Sequence, residues 1–171
     1  MEYLEFGKKA PDFDGMKWVI SAIAKAKVKQ YKRTECVYIN DKKIVGNDGC
    51  RLHILDSELE YPPGLYKVVV NRKDKIVLEK TTAELLDYAA WEKVVPISAN
   101  YETIEVVYNE EISVAYTKII RSLEDKYTLR YNYLYDALYG ESSFTVHIYK
   151  GQELIVCEDN KKKAIIMLLR L

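Results

Sequence analysis

The sequence predicts an α+β fold in which antiparallel sheets carry two helices on one face. Three observations lead there. A single early run, Met16 to Lys29, places apolar residues at helical spacing. From residue 34 onward the hydrophobic period drops to two, in short segments separated by turn residues. A second helical stretch, Tyr131 to Leu138, is then followed by three more alternating segments, so the order reads helix, strands, helix, strands. The 15 tyrosines, several in alternating apolar patterns, favour strands over helices.

Residues 2–7 fit a short strand. Pro11-Asp12-Phe13-Asp14 reads as a helix start with Asp14 as its cap. In the helix, Met16, Val19, Ile20 and Ile23 form one apolar face. Lys17, Ser21, Lys25 and Lys29 follow steps of four on the opposite side, with Lys32 close to the same line. A solvated lysine face and a phosphate-facing stripe both fit that spacing. Trp18 falls on the polar side, which predicts a contact beyond the helix.

Strands follow at Cys36–Asn40, from Lys43 to Val45, and at Arg51–Leu55, with Asp41-Lys42-Lys43 and Asn47-Asp48-Gly49-Cys50 as turns. Tyr61-Pro62-Pro63-Gly64 is a break. Leu65–Val70 and Lys75–Glu79 read as a hairpin, and Thr82–Trp91 as a short helix. In the second half, Thr103–Tyr108, Ile112–Ile120 and Tyr127–Tyr131 read as strands. After the helix ended by Gly140 come strands at Phe144–Tyr149, Glu153–Glu158 and Lys163–Leu169. Nothing separates independent domains. We read 1–171 as one domain of two half-repeats, about 1–96 and 97–171.

Composition narrows the function. Hydrophobic residues make up 49% and charged residues 30%, ordinary for a soluble globular chain. No apolar run reaches the ~20 residues that span a bilayer, and the first residues lack a signal sequence, so a cytoplasmic location is expected. Lys plus Arg equals Asp plus Glu at 26 each, which argues against a general nucleic-acid binder but leaves room for a local basic surface. Cys36, Cys50 and Cys157 are odd in number and widely spaced, so free, buried or partly buried thiols are expected rather than disulfides. His53 and His147 each sit in an alternating segment, as structural or surface histidines do. Nucleotide loops, metal-binding patterns and nucleophile elbows are missing from the sequence. We therefore expect no enzyme, no metal and no cofactor.

Three separated segments resemble the bacterial DNA sliding clamp, the beta subunit of the replicative polymerase. Asn47-Asp48-Gly49-Cys50-Arg51-Leu52 is similar to the family's Thr-Asp-Gly-His-Arg-Leu turn and strand. Tyr88-Ala89-Ala90-Trp91-Glu92-Lys93-Val94-Val95-Pro96 is similar to its Phe-Pro-x-Tyr-x-x-Val-(Ile/Leu)-Pro connector. Ile165 to Leu171 resembles its terminal Val-Met-Pro-Met-Arg-Leu, and Asn132 to Leu138 resembles the helix before its last strands. The segments fall in the family's order. Cys50 stands where the family has histidine, and Ala89 and Leu168 where it has prolines. The usual clamp has three domains in over twice this length. One clamp-like domain with an inserted hairpin at 65–80 accounts for the difference.

The resemblance implies a DNA-clamp fold and a replication processivity factor built from small subunits. It implies a hydrophobic groove where the three segments converge, taking short peptides from a DNA polymerase or other clamp-binding proteins. Asn47, Gly49, Cys50, Arg51, Leu52, Ala89, Val94, Ile165 and Met167 would form it. It also implies a ring whose inner helices contact double-stranded DNA without reading sequence, here through Lys17, Lys25, Lys29 and Lys32. Such a homo-oligomer of one-domain subunits would need about six copies in closed head-to-tail symmetry. The alternative is an interaction module or decoy that keeps the peptide groove without forming a ring.

Overall fold

Side-chain alternation lays out the sheet strand by strand. The structure is a computed structural model that describes residues 2–23, 35–82, 89–97, 100–107, 111–140 and 143–171. The first half supplies β1 (Tyr3–Gly7), α1 (Phe13–Ser21), β2 (Cys36–Asn40), β3 (Lys43–Asn47), β4 (Arg51–Asp56), β5 (Gly64–Asn71) and β6 (Lys75–Lys80). The second supplies β7 (Glu102–Val106), α2 (Ile112–Ser122), β8 (Tyr127–Thr128), α3 (Tyr131–Leu138), β9 (Phe144–Tyr149), β10 (Leu154–Glu158), β11 (Lys162–Met167) and β12 (Leu169–Arg170). A 3₁₀ turn, Ala89–Val94, precedes β7.

Ten of the strands form one antiparallel sheet in the order β1-β6-β5-β2-β3-β4-β11-β10-β9-β7, and β12 pairs with β8. Every sheet strand before residue 96 lies on one side of the β4–β11 seam, and every later one on the other. At the seam Leu52 opposes Ile165 and His53 opposes Ala164. On each side a helix leads into a three-strand meander: α1 into β2-β3-β4, and α3 into β9-β10-β11. The β5–β6 hairpin, expected as an insertion, is built into the sheet between β1 and β2.

Successive strand residues point to opposite faces, so the sheet has two apolar surfaces. Val37, Ile39, Ile44, Leu55, Val146, Ile148, Ile155 and Ile166 face the helices and pack with Met16, Val19, Ile119 and Leu134. The open face carries a second buried cluster. Gly46 shows how closely α1 sits on the sheet. A Cβ there would come within 2.5 Å of the Val19 carbonyl oxygen.

Both expected helices are present, as α1 and α3. The stretch beyond Ile23, through Lys29 and Lys32, lies outside the described residues. The helix α1 is preceded by Asp12, not capped by Asp14. The Asp12 carboxylate instead accepts hydrogen bonds from Ser57 Oγ (2.6 Å) and Tyr61 OH (2.8 Å).

Ile112–Ile120, expected as a strand, is helix α2. Its β-branched residues suggest a strand, yet Ile112, Ala115, Tyr116, Ile119 and Ile120 also recur at helical spacing. Ala115 and Ile119 are the residues it buries. Tyr127–Tyr131 is strand only at Tyr127–Thr128, and the expected last strand breaks at Leu168 into β11 and β12. Of the helix expected at Thr82–Trp91, residues 83–88 lie outside the described residues and the rest is the 3₁₀ turn. Among the described residues no helix is long and apolar enough to cross a membrane.

Trp18 makes the predicted contact beyond its helix. Its Nε1 donates to the Ala137 carbonyl of α3 at 3.0 Å, and its ring stacks on His53 at 4.2 Å. His53 is fully buried, with Nδ1 2.9 Å from the Trp18 carbonyl oxygen and Nε2 unpartnered. Burial, reinforced by nearby Arg51 and Lys162, drives its pKa from 6.5 to about 3. The unfolded chain therefore binds this proton more readily, and stability is lost as pH falls below 6.5 toward 3. Compared with a His53→Phe variant in urea titrations, the wild type should lose up to about 1.4 kcal/mol more per pH unit in that window. Parallel pH profiles for the two proteins would contradict this.

Candidate partner groove and helix face

The turn before β4 is shaped by its own side chains. Asn47 Oδ1 accepts from Gly49 N at 3.2 Å, and Asp48 Oδ1 accepts from the backbone N–H groups of Cys50 and Arg51, each at 3.0 Å. This is an Asx-type turn, in which the side chain substitutes for backbone acceptors. Gly49 takes φ +89°, a conformation glycine adopts without steric cost. Met167 N–H donates to the Cys50 carbonyl at 3.0 Å and so ties the end of β11 to the turn.

From that turn, alternation sends Arg51 and Leu52 to opposite faces. Leu52 joins Cys36, Val45, Ile54, Leu65, Tyr149, Leu154, Val156 and Ile165 in the open-face cluster. Trp91 and Val95 of the connector pack against it, as does Tyr38. The three sequence segments thus meet on one surface. Leu52 and Ile165 are its buried floor, whereas Met167 and Val94 stay 50% and 44% exposed at its margin. Asn47 is half-buried at the end of β3, and Gly49 and Cys50 are exposed at the turn. Ala89 begins the 3₁₀ turn. Sequence reasoning overlooked Trp91 and Val95, although both stand in the connector motif. It also overlooked Leu154, which reaches the surface only because β10 pairs with β11 in register opposite Met167.

Two expectations need correction here. Cys50 is exposed, not buried, while Cys36 and Cys157 are buried. Burial pushes the Cys157 thiol up to about 12. Arg51, assigned to the groove, points to the helix face, where it is nearly fully buried. Its Nε binds Asp48 at 3.1 Å, Nη1 binds Asp136 of α3 at 2.5 Å, and Nη2 donates to the Ser21 carbonyl at the end of α1 at 2.5 Å. The guanidinium also lies 4.3 Å from the Tyr133 ring centroid.

Of the lysines assigned to DNA, Lys17 is described; Lys25, Lys29 and Lys32 lie outside the described residues. Lys17 Nζ donates to Asn71 Oδ1 at 2.6 Å and sits on the helix face. His147 bridges Glu158 (3.1 Å) and Thr103 (3.2 Å) across β10, β9 and β7. Among the described residues no group of three or more His, Cys, Asp and Glu side chains stands ready to hold a metal ion.

The chain matches no protein-family model and no curated protein sequence. Its fold is that of the bacterial sliding clamps. It superposes on the DNA polymerase sliding clamp of Pseudomonas aeruginosa with a TM-score of 0.58 at 11% identity, over 99% of this chain and 67% of that one. The Borrelia burgdorferi DNA polymerase III subunit beta, in complex with a natural product, gives 0.60 at 10% identity over 100% and 65%. The Helicobacter pylori beta clamp bound to a DNA ligase peptide gives 0.59 at 14% identity over 99% and 66%. The chain thus spans about two thirds of these clamps, with 65% for the Borrelia protein.

Arg51 is a buried cation with a partner at each guanidinium nitrogen, and removing its side chain leaves the Asp48 carboxylate inside the turn without its cation. Arg51→Ala should cost about 3 kcal/mol or more in chemical denaturation, the range for breaking a buried ion pair. A loss under about 1 kcal/mol, typical of an exposed pair, would refute this account of Arg51.

Proposed function

We propose that this chain is a sliding-clamp-like factor of DNA replication, taking peptides of partner proteins on the open face of its sheet and turning its helix face to DNA. The observation that carries this is the meeting of the Asn47–Leu52 turn, the connector and the end of β11 on one apolar surface. Met167 is suited to the rim. Its side chain is half-exposed, unbranched and polarisable, so it can adapt to different apolar anchors. Leu52 and Ile165 give a rigid floor. The DNA ligase peptide held by the Helicobacter pylori clamp supports a peptide as the ligand class. The groove set is Asn47, Gly49, Cys50, Leu52, Ala89, Val94, Ile165 and Met167, with Arg51 holding the turn from behind. The body is one domain of two half-repeats joined at the β4–β11 seam.

A second reading, an interaction module or decoy without a ring, is favoured by the end strands. β1 and β7 close the sheet at its two ends. Glu5 is exposed on β1, and Glu102 and Glu105 on β7. Glu5 and Glu102 are held by Lys75 and Lys150, so pairing β7 of one copy with β1 of the next would add the charge of Glu105 to an already acidic edge, and like charges on adjacent strands are destabilising.

Calorimetry with a synthetic peptide rich in glutamine, leucine and phenylalanine tests the groove. Met167→Ala should weaken binding by about 1–2 kcal/mol, a modest hot spot. Undetectable binding by the wild type, or an unchanged Met167→Ala variant, would sink the peptide reading.

Light scattering separates the two assemblies. A ring predicts about six associated copies, the number the clamp resemblance implies for closed symmetry. A monomer at tens of micromolar leaves the module reading.

A further inference from the structure

A cleft of about 1270 Å³ opens on the helix face between α1 and α3. Lys8, Lys17, Lys73 and Lys162 line it, arriving from the loop after β1, from α1, from the β5–β6 turn and from the start of β11. Among the described residues none of the four has a carboxylate within ion-pair distance. Elsewhere Lys42, Lys43, Lys75, Lys80, Lys150, Lys161 and Lys163 are each paired with an acid. Two aspartates also line the cleft, and one of them, Asp136, is already held by Arg51. The cleft therefore carries uncompensated positive charge in a chain whose net charge is zero.

Beside these cations stand tyrosines of α3 and of the residue that follows it. Tyr131 and Tyr135 stand four residues apart on one side of the helix, and Tyr139 follows just past its end in extended backbone. Tyr135 and Tyr139 line the cleft, 43% and 63% exposed, with ring centroids 5.8 Å apart. Exposed aromatic faces next to lysines without an acid partner match one ligand class closely. A single-stranded nucleic acid offers unstacked bases for the rings and phosphates for the lysines. A duplex hides its base faces and offers the rings nothing to stack on. An acidic peptide would engage the lysines and leave the tyrosines idle.

We propose that this cleft binds a single-stranded nucleic-acid segment, with bases stacked on Tyr135 and Tyr139 and phosphates against Lys8, Lys17, Lys73 and Lys162. The proposal rests on the reading of the helix face as the nucleic-acid side and is independent of the peptide groove.

Fluorescence anisotropy on the full chain tests it, using a labelled oligothymidylate of roughly 16 nucleotides and a labelled duplex. The oligothymidylate should bind at about 50 mM salt and weaken steeply by about 200 mM. The Tyr135→Ala/Tyr139→Ala variant should lose at least about fivefold for the single strand, the low end for losing one stacked base, with duplex affinity unchanged. Tyr135→Phe/Tyr139→Phe, which keeps both rings, should bind like the wild type and exclude a folding defect. Lys73→Glu should weaken the single strand.

No oligothymidylate binding at low salt overturns the proposal. So does an alanine variant that binds as tightly as the wild type, or equal displacement by polyglutamate. Binding of the single strand with no duplex binding would remove the encircling reading and leave this site standing.

Discussion

Arg51 is the point on which the two sides of the sheet depend. Its guanidinium joins the β3–β4 turn through Asp48, the end of α1 through the Ser21 carbonyl, and α3 through Asp136 and the Tyr133 ring. A buried cation needs opposite charge and hydrogen-bond partners to be tolerated, and here three elements supply one to each guanidinium nitrogen. The strand period does the rest. With Arg51 fixed on the helix face, Leu52 must face the other way, opposite Ile165 and into the open-face cluster. The side chain that organises the helices therefore also sets the floor of the proposed groove. A slip of one residue in β4 would bury Leu52 under the helices and expose the arginine.

The helix face has its own internal order. Trp18 spans from α1 to α3, and His53 lies beneath it without a partner for Nε2. Such a histidine stays neutral, which suits a position flanked by Arg51 and Lys162. Around this apolar centre the charges are unevenly distributed. Acid–base pairs line much of the periphery, including Lys43 with Asp56, Lys161 with Glu58 and Arg170 with Glu153. The cleft lysines have no such neighbours. Net neutrality thus describes the sum of the charges and not their arrangement.

Most strands were legible because their apolar residues alternate between short turns, and α1 and α3 because Met16, Val19 and Leu134, Ala137 recur at helical spacing. α2 was misread because Ile112, Val114 and Tyr116 also alternate, and β-branched residues suit a strand. Burial of Ala115 and Ile119 decides for the helix. The groove segments were readable as motifs, but not their facing. Arg51 sits inside its motif and still points away from the groove. The cleft was not readable at all. Lys8, Lys73, Lys162 and Tyr139 come from four separate stretches, and no spacing in the chain anticipates that β6, β11 and α3 bring them together.

The hairpin β5–β6 has a geometric consequence. Six strands lie on one side of the seam and four on the other. With strands about 4.8 Å apart, one wing is roughly 10 Å broader than its counterpart. On each side of the seam a helix precedes a three-strand meander in the chain, and the broader wing carries β5, β6 and β1 beyond it where the other carries β7 alone. The two ends of the sheet are therefore not interchangeable, and a partner fitted to the β7 end would not find the same surface at the β1 end. The element order is alike on both sides of the seam and differs at the two rims.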